Sequence, residues 1–203
     1  MKRGYHHGNL RQALVEAALQ LIEETGPQGF TLSEAAKLAD VTPAAVYRHF
    51  AGRDQLLAEV ARQGYDIFGA LMEFAYDGGK PSALAAFEAT GRAYLAFARK
   101  YPGHYKAMFE AGLRLADHPE LAQVAARSRE VLEKAAEGLW ANMAPGRRPP
   151  ASMVSAHVRA MSHGVVELYM RGGDGASPFA PEDLLEAGIG IYLRGLGLLP
   201  PDR

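Results

Sequence analysis

Apolar residues recur every three or four positions along most of this chain, and short breakers cut the pattern into segments. Leu10, Ala13, Leu14, Ala17, Ala18, Leu21 and Ile22 fall on one stripe of a first helix. Asn9, with Gln12 three positions on, reads as a capping box at its start, and Gly26-Pro27 closes it. Thr31-Leu-Ser-Glu34 is a second capping box, opening a short helix that carries Ala35, Ala36 and Ala39. Asp40-Val41 makes a turn. Thr42 then caps a third helix, with Pro43 at the first position, where its missing N–H costs nothing. That helix is expected to end near Phe50, before Ala51-Gly52. A fourth starts at about Arg53, with Leu57, Val60, Ala61, Phe68, Leu71 and Met72 on one face.

Beyond it, long helical patterns alternate with the breakers DGGKPS, APGRRPPAS and RGGDGASPFAP. Helices are predicted at about 83–101, 104–115, 119–142, 152–171 and 182–198. No segment alternates as a strand would. The fold class is therefore all-α, with about nine helices. A small domain over 1–52, including an N-terminal arm over 1–8, precedes a larger helical domain over 53–203.

Composition narrows the chemistry. The 203 residues include no cysteine, which removes disulfides and thiolate metal sites. No run is long and apolar enough for a membrane span, and the polar N-terminal stretch lacks a signal-peptide core, so a cytoplasmic location and no membrane partner are expected. The formal net charge is −1, which by itself argues against a nucleic-acid binder. Distribution says more than the total. Residues 41–53 carry Arg48, His49 and Arg53 with no acid, and residues 1–11 carry cations and histidines with no acid.

Three short helices with a turn of about three residues between the second and third suit a helix-turn-helix. Val46 and Phe50 lie on the face of the third helix that can pack on the first. Thr42, Pro43, Ala44, Tyr47 and Arg48 then face solvent, and such a face fits a major groove. Tyr47 and His49 can donate to phosphates, while Thr42, Pro43, Ala44 and Arg48 are candidates for base edges. Backbone N–H groups at the starts of the second and third helices can hold phosphates, with Thr31 placed to assist at the first. The spacing equally allows a plain three-helix bundle whose surface tyrosine and histidine serve no ligand. The arm around Tyr5-His6-His7, with Lys2 and Arg3, reads either as a backbone or minor-groove contact or as a frayed terminus.

Residues 10–60 resemble the DNA-binding domain of TetR/AcrR-family transcriptional regulators, through ALVEAALQLIEETG and FTLSEAAKLADVTPAAVYRHFAGRDQLLAEV. Tyr47, His49 and Phe50 after a capped alanine-rich helix carry the likeness. The resemblance implies a homodimer that binds double-stranded operator DNA and responds to a small-molecule effector. It implies phosphate contacts at Thr31, Tyr47, His49 and Arg53, and base-facing positions at Thr42, Pro43, Ala44 and Arg48. Asp40 stands where the family usually has glycine; aspartate tolerates a left-handed backbone, so the turn is expected to survive.

In the larger domain, Val154, His157/Val158, Met161, Val165 and Leu168 step by four and three, as do Leu185, Ile189, Tyr192, Leu196 and Leu199. That period suits helices packed nearly parallel or antiparallel. Glycines at 188, 190, 195 and 197 suggest close packing. The expected dimer interface is Val158, Met161, Val165, Leu168, Leu185, Ile189, Tyr192 and Leu196; burial in the chain's own core is the alternative. Tyr94, Phe97, Met108, Phe109, Trp140, Met161, His163 and Glu167 are candidates to line an effector pocket, though most aromatics are core by default. MSHGVVEL resembles the Trp-His-Gly variant of the family's C-terminal domain, and His163 and Glu167 stand four apart on one helical face. No nucleophile elbow, phosphate loop or zinc helix motif occurs, so neither an enzyme nor a cofactor is expected. The reading is a DNA-binding regulator, a repressor released by its effector. The alternative is an all-α small-molecule-binding or structural dimer without DNA binding.

Overall fold

In a computed structural model of the chain, which describes residues 10–140, 143–170 and 178–199, every regular element is helical. The described α-helices are α1 (Leu10–Thr25), α2 (Leu32–Leu38), α3 (Pro43–Val46), α4 (Arg53–Tyr76), α5 (Ala83–Lys100), α6 (Pro102–Phe109), α7 (Pro119–Gly138), α8 (Ala151–Met170) and α9 (Pro181–Gly195). Single 3₁₀ turns lie at Asp77–Gly79, Leu115–Asp117 and Pro145–Arg147. The all-α expectation holds. Asn9 and the arm fall outside the described residues.

The chain forms two compact units. The first takes residues 1–67 and 101–125, the second 68–100 and 126–203. In the first, Leu14, Val15, Ala18 and Ile22 of α1 share a core with Ala35 and Ala36 of α2, Val46, Phe50, and Leu56, Leu57 and Val60 of α4. Thr31 caps α2 as expected. Its hydroxyl accepts from Glu34 N–H at 3.2 Å, and its own N–H donates to the Glu34 carboxylate at 2.8 Å. Asp40 takes φ +54°, the left-handed conformation the turn demands. The small residues at Ala35, Ala36 and Ala39, all buried, let α2 and α3 meet closely.

Helix α6 packs on α1 with almost no clearance. A Cβ on Gly103 would stand 3.0 Å from Glu23 Oε1 and 3.1 Å from Leu19 Cδ2. The predicted helix over 104–115 is displaced and shortened. Pro102 supplies a preformed first position, and Gly112 at φ +69° leaves the helical region. Gln28 ties this region to the α1–α2 loop, donating to Ala111 O at 2.7 Å.

In the second unit, Phe68 meets Tyr94 and Phe97 of α5 edge-on, with ring centroids 5.3 and 5.1 Å apart. Helices α8 and α9 pack on each other and on α5. Leu185 and Ile189 of α9 press onto α5 where it has Gly91; a Cβ there would lie 3.3 Å from Leu185 Cδ2. Two ion pairs flank this seam. Arg92 reaches Glu186 at 2.6 Å, and Arg99 reaches Glu182.

Candidate nucleic-acid interface

The third helix is short because its end is an anchor. Regular α-helix covers only Pro43–Val46, and the chain continues as a helical turn to Phe50. His49 N–H and Phe50 N–H both donate to Val46 O, at 2.9 and 3.0 Å. Val46 and Phe50 are fully buried. With those two positions inward, 3.6-residue geometry turns the others outward. Thr42, Pro43, Ala44, Tyr47, Arg48 and His49 are all exposed. Tyr47 is 61% exposed, high for a large aromatic with a core beside it.

Thr42 sits at the N-cap with extended backbone, yet its side chain makes no cap hydrogen bond. The expected cap is thus positional only: the Ala45 N–H, a donor that a side-chain cap would take, goes instead to Thr42 O at 2.9 Å. Within the described residues, Thr42, Tyr47, Arg48 and His49 make no side-chain hydrogen bond or ion pair. The segment presents two hydroxyls, a guanidinium and an imidazole to solvent, with no acid among them.

The other two expected phosphate contacts are engaged already. The Thr31 hydroxyl donates to Glu34 Oε2 at 2.9 Å, and this bonding holds the Glu34 carboxyl below its ordinary range. Arg53 donates to Gln28 Oε1 at 2.6 Å and Gln28 O at 3.3 Å, and lies 3.6 Å from Asp54.

Behind the exposed face lies an arrangement the sequence reading missed. Glu59 of α4 is only 7% exposed and accepts from Arg11 at 3.1 Å, from Arg62 at 2.8 and 3.1 Å, and from Gln63 at 3.0 Å. Burial pushes its carboxyl up, but bonds from Arg62 and Gln63 and the charges of Arg62 and Arg11 outweigh that and hold it low. The Arg11 guanidinium also lies 5.0 Å from the Phe50 ring centroid. Arg11 and Glu59 are 48 positions apart, so no local pattern announces them.

The candidate effector residues divide. Met108 and Phe109 belong to the first unit; Phe109 packs edge-on to Tyr65 at 6.1 Å, and a Cβ on Gly64 would meet Met108 Sδ at 2.7 Å. Tyr94 and Phe97 are buried core of the second unit. His163 Nδ1 lies 3.4 Å from the Tyr94 hydroxyl, while Met161 and Glu167 are half-buried on the same helix. Trp140 is half-buried, its indole N–H without a partner among the described residues. Ser162, in the motif, is buried and donates to Val158 O. A cavity of about 330 Å³ in this unit is lined instead by Leu95, Ala98, Arg99, Val165, Val166, Tyr169 and Pro181.

The residues expected at a dimer interface divide between the chain's own core and its surface. Val158, Val165, Leu185 and Ile189 are buried within the chain, because α8 and α9 turn those residues onto each other and onto α5. Met161, Tyr192 and Leu196 are half-buried, and Leu168 is 66% exposed. The outward face of α8 is Met153, His157, Ala160, Gly164 and Leu168; that of α9 includes Ala187, Ile191 (70% exposed) and Gly195. Of the α9 glycines, only Gly190 is tight inside the chain, where a Cβ would lie 3.3 Å from the flexible end of Arg194. A Cβ at Gly195 would meet nothing, and one at Gly188 only Met161 Sδ at 3.6 Å.

Among the described residues, no three ligating side chains gather where a metal could bind, and no helix is long and apolar enough to cross a membrane.

Comparison with known proteins gives this geometry a context. A family model described as "Bacterial regulatory proteins, tetR family" matches residues 14–60. Another, "Tetracyclin repressor-like, C-terminal domain", matches residues 87–192. The HTH-type transcriptional regulator BetI of Rhizobium meliloti is 42% identical over 52 residues, 26% of each chain. The matches to curated relatives span a quarter to a half of those proteins' lengths. A protein of unknown function from Rhodococcus sp. RHA1 has the same fold, with TM-score 0.78, 26% identity and coverage of 96% of this chain and 98% of that one. The TetR family transcriptional regulator PfmR of Thermus thermophilus superposes with TM-score 0.70 at 18% identity, covering 89% of this chain and 97% of that one.

Proposed function

The chain belongs to the tetR family of bacterial regulatory proteins, and so to the DNA-binding transcriptional regulators; from that premise we propose that it is a homodimeric repressor that reads operator DNA with the Thr42–His49 face and is released by a small-molecule effector. One observation supports this most: Thr42, Pro43, Ala44, Tyr47, Arg48 and His49 are exposed and uncommitted, while Val46 and Phe50 beside them are fully buried. A face with those donors and no acid matches a duplex groove and its phosphates.

Residue roles follow from exposure. Tyr47 and His49 donate to phosphates and set register. Arg48 and Thr42 reach base edges, with Pro43 and Ala44 giving apolar contact to thymine methyl groups. Thr31 and Arg53 act mainly through the structure they hold, Thr31 in its capping box and Arg53 on Gln28. The head over 1–52 is the reading domain and 53–203 the effector and dimer domain.

The dimer uses the outward face of α8 and α9: Met153, His157, Ala160, Gly164, Leu168, Ala187, Ile191 and Gly195. This face carries no lysine, arginine, aspartate or glutamate, and its His157 has Nδ1 2.9 Å from the Tyr192 hydroxyl. Bare glycine and alanine positions there let a second chain's helices approach closely.

The test selects genomic fragments retained by the purified protein and measures affinity for the recovered operator. Tyr47→Ala with His49→Ala weakens binding to operator and unrelated DNA alike. Thr42→Ala mainly changes sequence preference. Operator affinity unchanged in the double variant refutes the assignment of this face.

A further inference from the structure

The cavity between α5, α8 and α9 has an uneven chemistry. Leu95, Ala98, Val165, Val166 and Pro181 supply apolar walls. Tyr169 also lines it, with its hydroxyl donating to Phe179 O. Among the described residues, the one charged side chain in the lining is Arg99. No described acid lines the cavity, but Glu182, one residue beyond the lining Pro181, is the carboxylate partner of Arg99. At about 330 Å³ the space lies at the lower end of the range for small-molecule sites.

We infer that this cavity binds a small amphipathic monoanion, an apolar body with a single carboxylate, whose charge competes with Glu182 for the Arg99 guanidinium. The inference rests on the effector-responsive reading and supplies its ligand class and site. Apolar walls reward burial of a hydrocarbon body. One guanidinium selects one negative charge, and its planar fork accepts a carboxylate on two N–H groups. A polyanion finds no second cation in the described lining, and a cation meets a like charge there, with the Glu182 carboxylate already held by Arg99. Glu182 stands in the first turn of α9, so a ligand on Arg99 loosens an ion pair that joins α5 to α9, while the described Arg92–Glu186 pair remains. The occupied cavity is thereby coupled to the helix that carries Ile191 and Gly195 on its outer face.

Calorimetric titration of the full chain with octanoate, octanol and octylamine tests this. Octanoate is expected to bind about tenfold more tightly than octanol, and octylamine not measurably. Arg99→Gln brings octanoate down to the octanol value. Glu182→Gln, which removes the internal competitor, tightens octanoate binding and leaves octanol unchanged. Both side chains are partly exposed, so both variants are expected to fold, and thermal melts confirm it. Failure of octanoate to bind, equal affinity for octanoate and octanol, or an octanoate affinity indifferent to both substitutions overturns the inference. Retention of operator fragments by the ligand-free protein is measured on the same preparation. If operator binding is present and octanoate fails, the ligand site is wrong and the regulator reading stands; if operator binding is absent, that reading itself fails.

Discussion

Arg11 has two neighbours that pull in the same direction. Its guanidinium lies over the Phe50 ring, which ends the α3 turn, and one N–H reaches Glu59 on α4. Phe50 is fully buried, so Phe50→Ala is expected to cost about 3–5 kcal/mol in chemical denaturation, a cavity plus lost burial. Glu59 gives a pH signature. Its folded carboxyl titrates below its ordinary 4.5, so its stabilisation is complete above that value and is lost as pH falls through the lower folded value. Glu59→Gln should flatten the acid limb of a melting-temperature profile in that window. His104 behaves in the opposite chemical sense. Burial pushes its imidazole below 6.5 despite the charge of Glu23, so protonation disfavours the fold. Stability should fall as pH drops from 6.5 towards the lowered value, and His104→Gln should remove that slope.

Among the elements, α2 depends on its first turn. Seven residues form too short a helix to persist by propensity, so the capping box and the buried alanines hold it. Thr31→Ala should destabilise the protein by about 1 kcal/mol, read by urea unfolding. A loss of operator affinity in that variant beyond what unfolding explains would assign Thr31 a direct contact as well. Helix α8 offers the reverse case. Gly164 is exposed in mid-helix, and a Cβ there meets nothing within 4 Å. Gly164→Ala should therefore raise the stability of a single chain by about 1 kcal/mol.

For the whole molecule, the question is what covers Leu168 and Ile191. Large apolar side chains exposed on each of two neighbouring helices mark an interaction surface. Ile191→Glu replaces an exposed residue, so it should leave the single chain folded while converting a sedimenting dimer to monomer. Operator affinity should fall with it, since two half-sites demand two reading heads. Wild-type affinity should also decline steeply between low and physiological salt, as phosphate contacts release counterions.

How much of this was readable in advance depends on the range of the interaction. The Thr31–Glu34 box, the Asp40 turn and the proline at the start of α3 involve neighbours within a few positions, so residue type and spacing were enough. The exposed Tyr47, Arg48 and His49 followed once Val46 and Phe50 were placed inward. Periodicity could not choose between adjacent stripes of α8 and α9. Leu185 and Ile189 turned inward because Gly91, almost a hundred positions away, leaves room for them on α5. Arg11 on Glu59, Arg53 on Gln28 and the cavity at Arg99 likewise join distant segments. By itself the sequence determined the helices, their caps and the polar face of the third, since each arises from contacts along one stretch of backbone. Only the tertiary structure decided which helix faces go to the core, which charges are already paired and where space is left, because those depend on what the rest of the chain brings alongside.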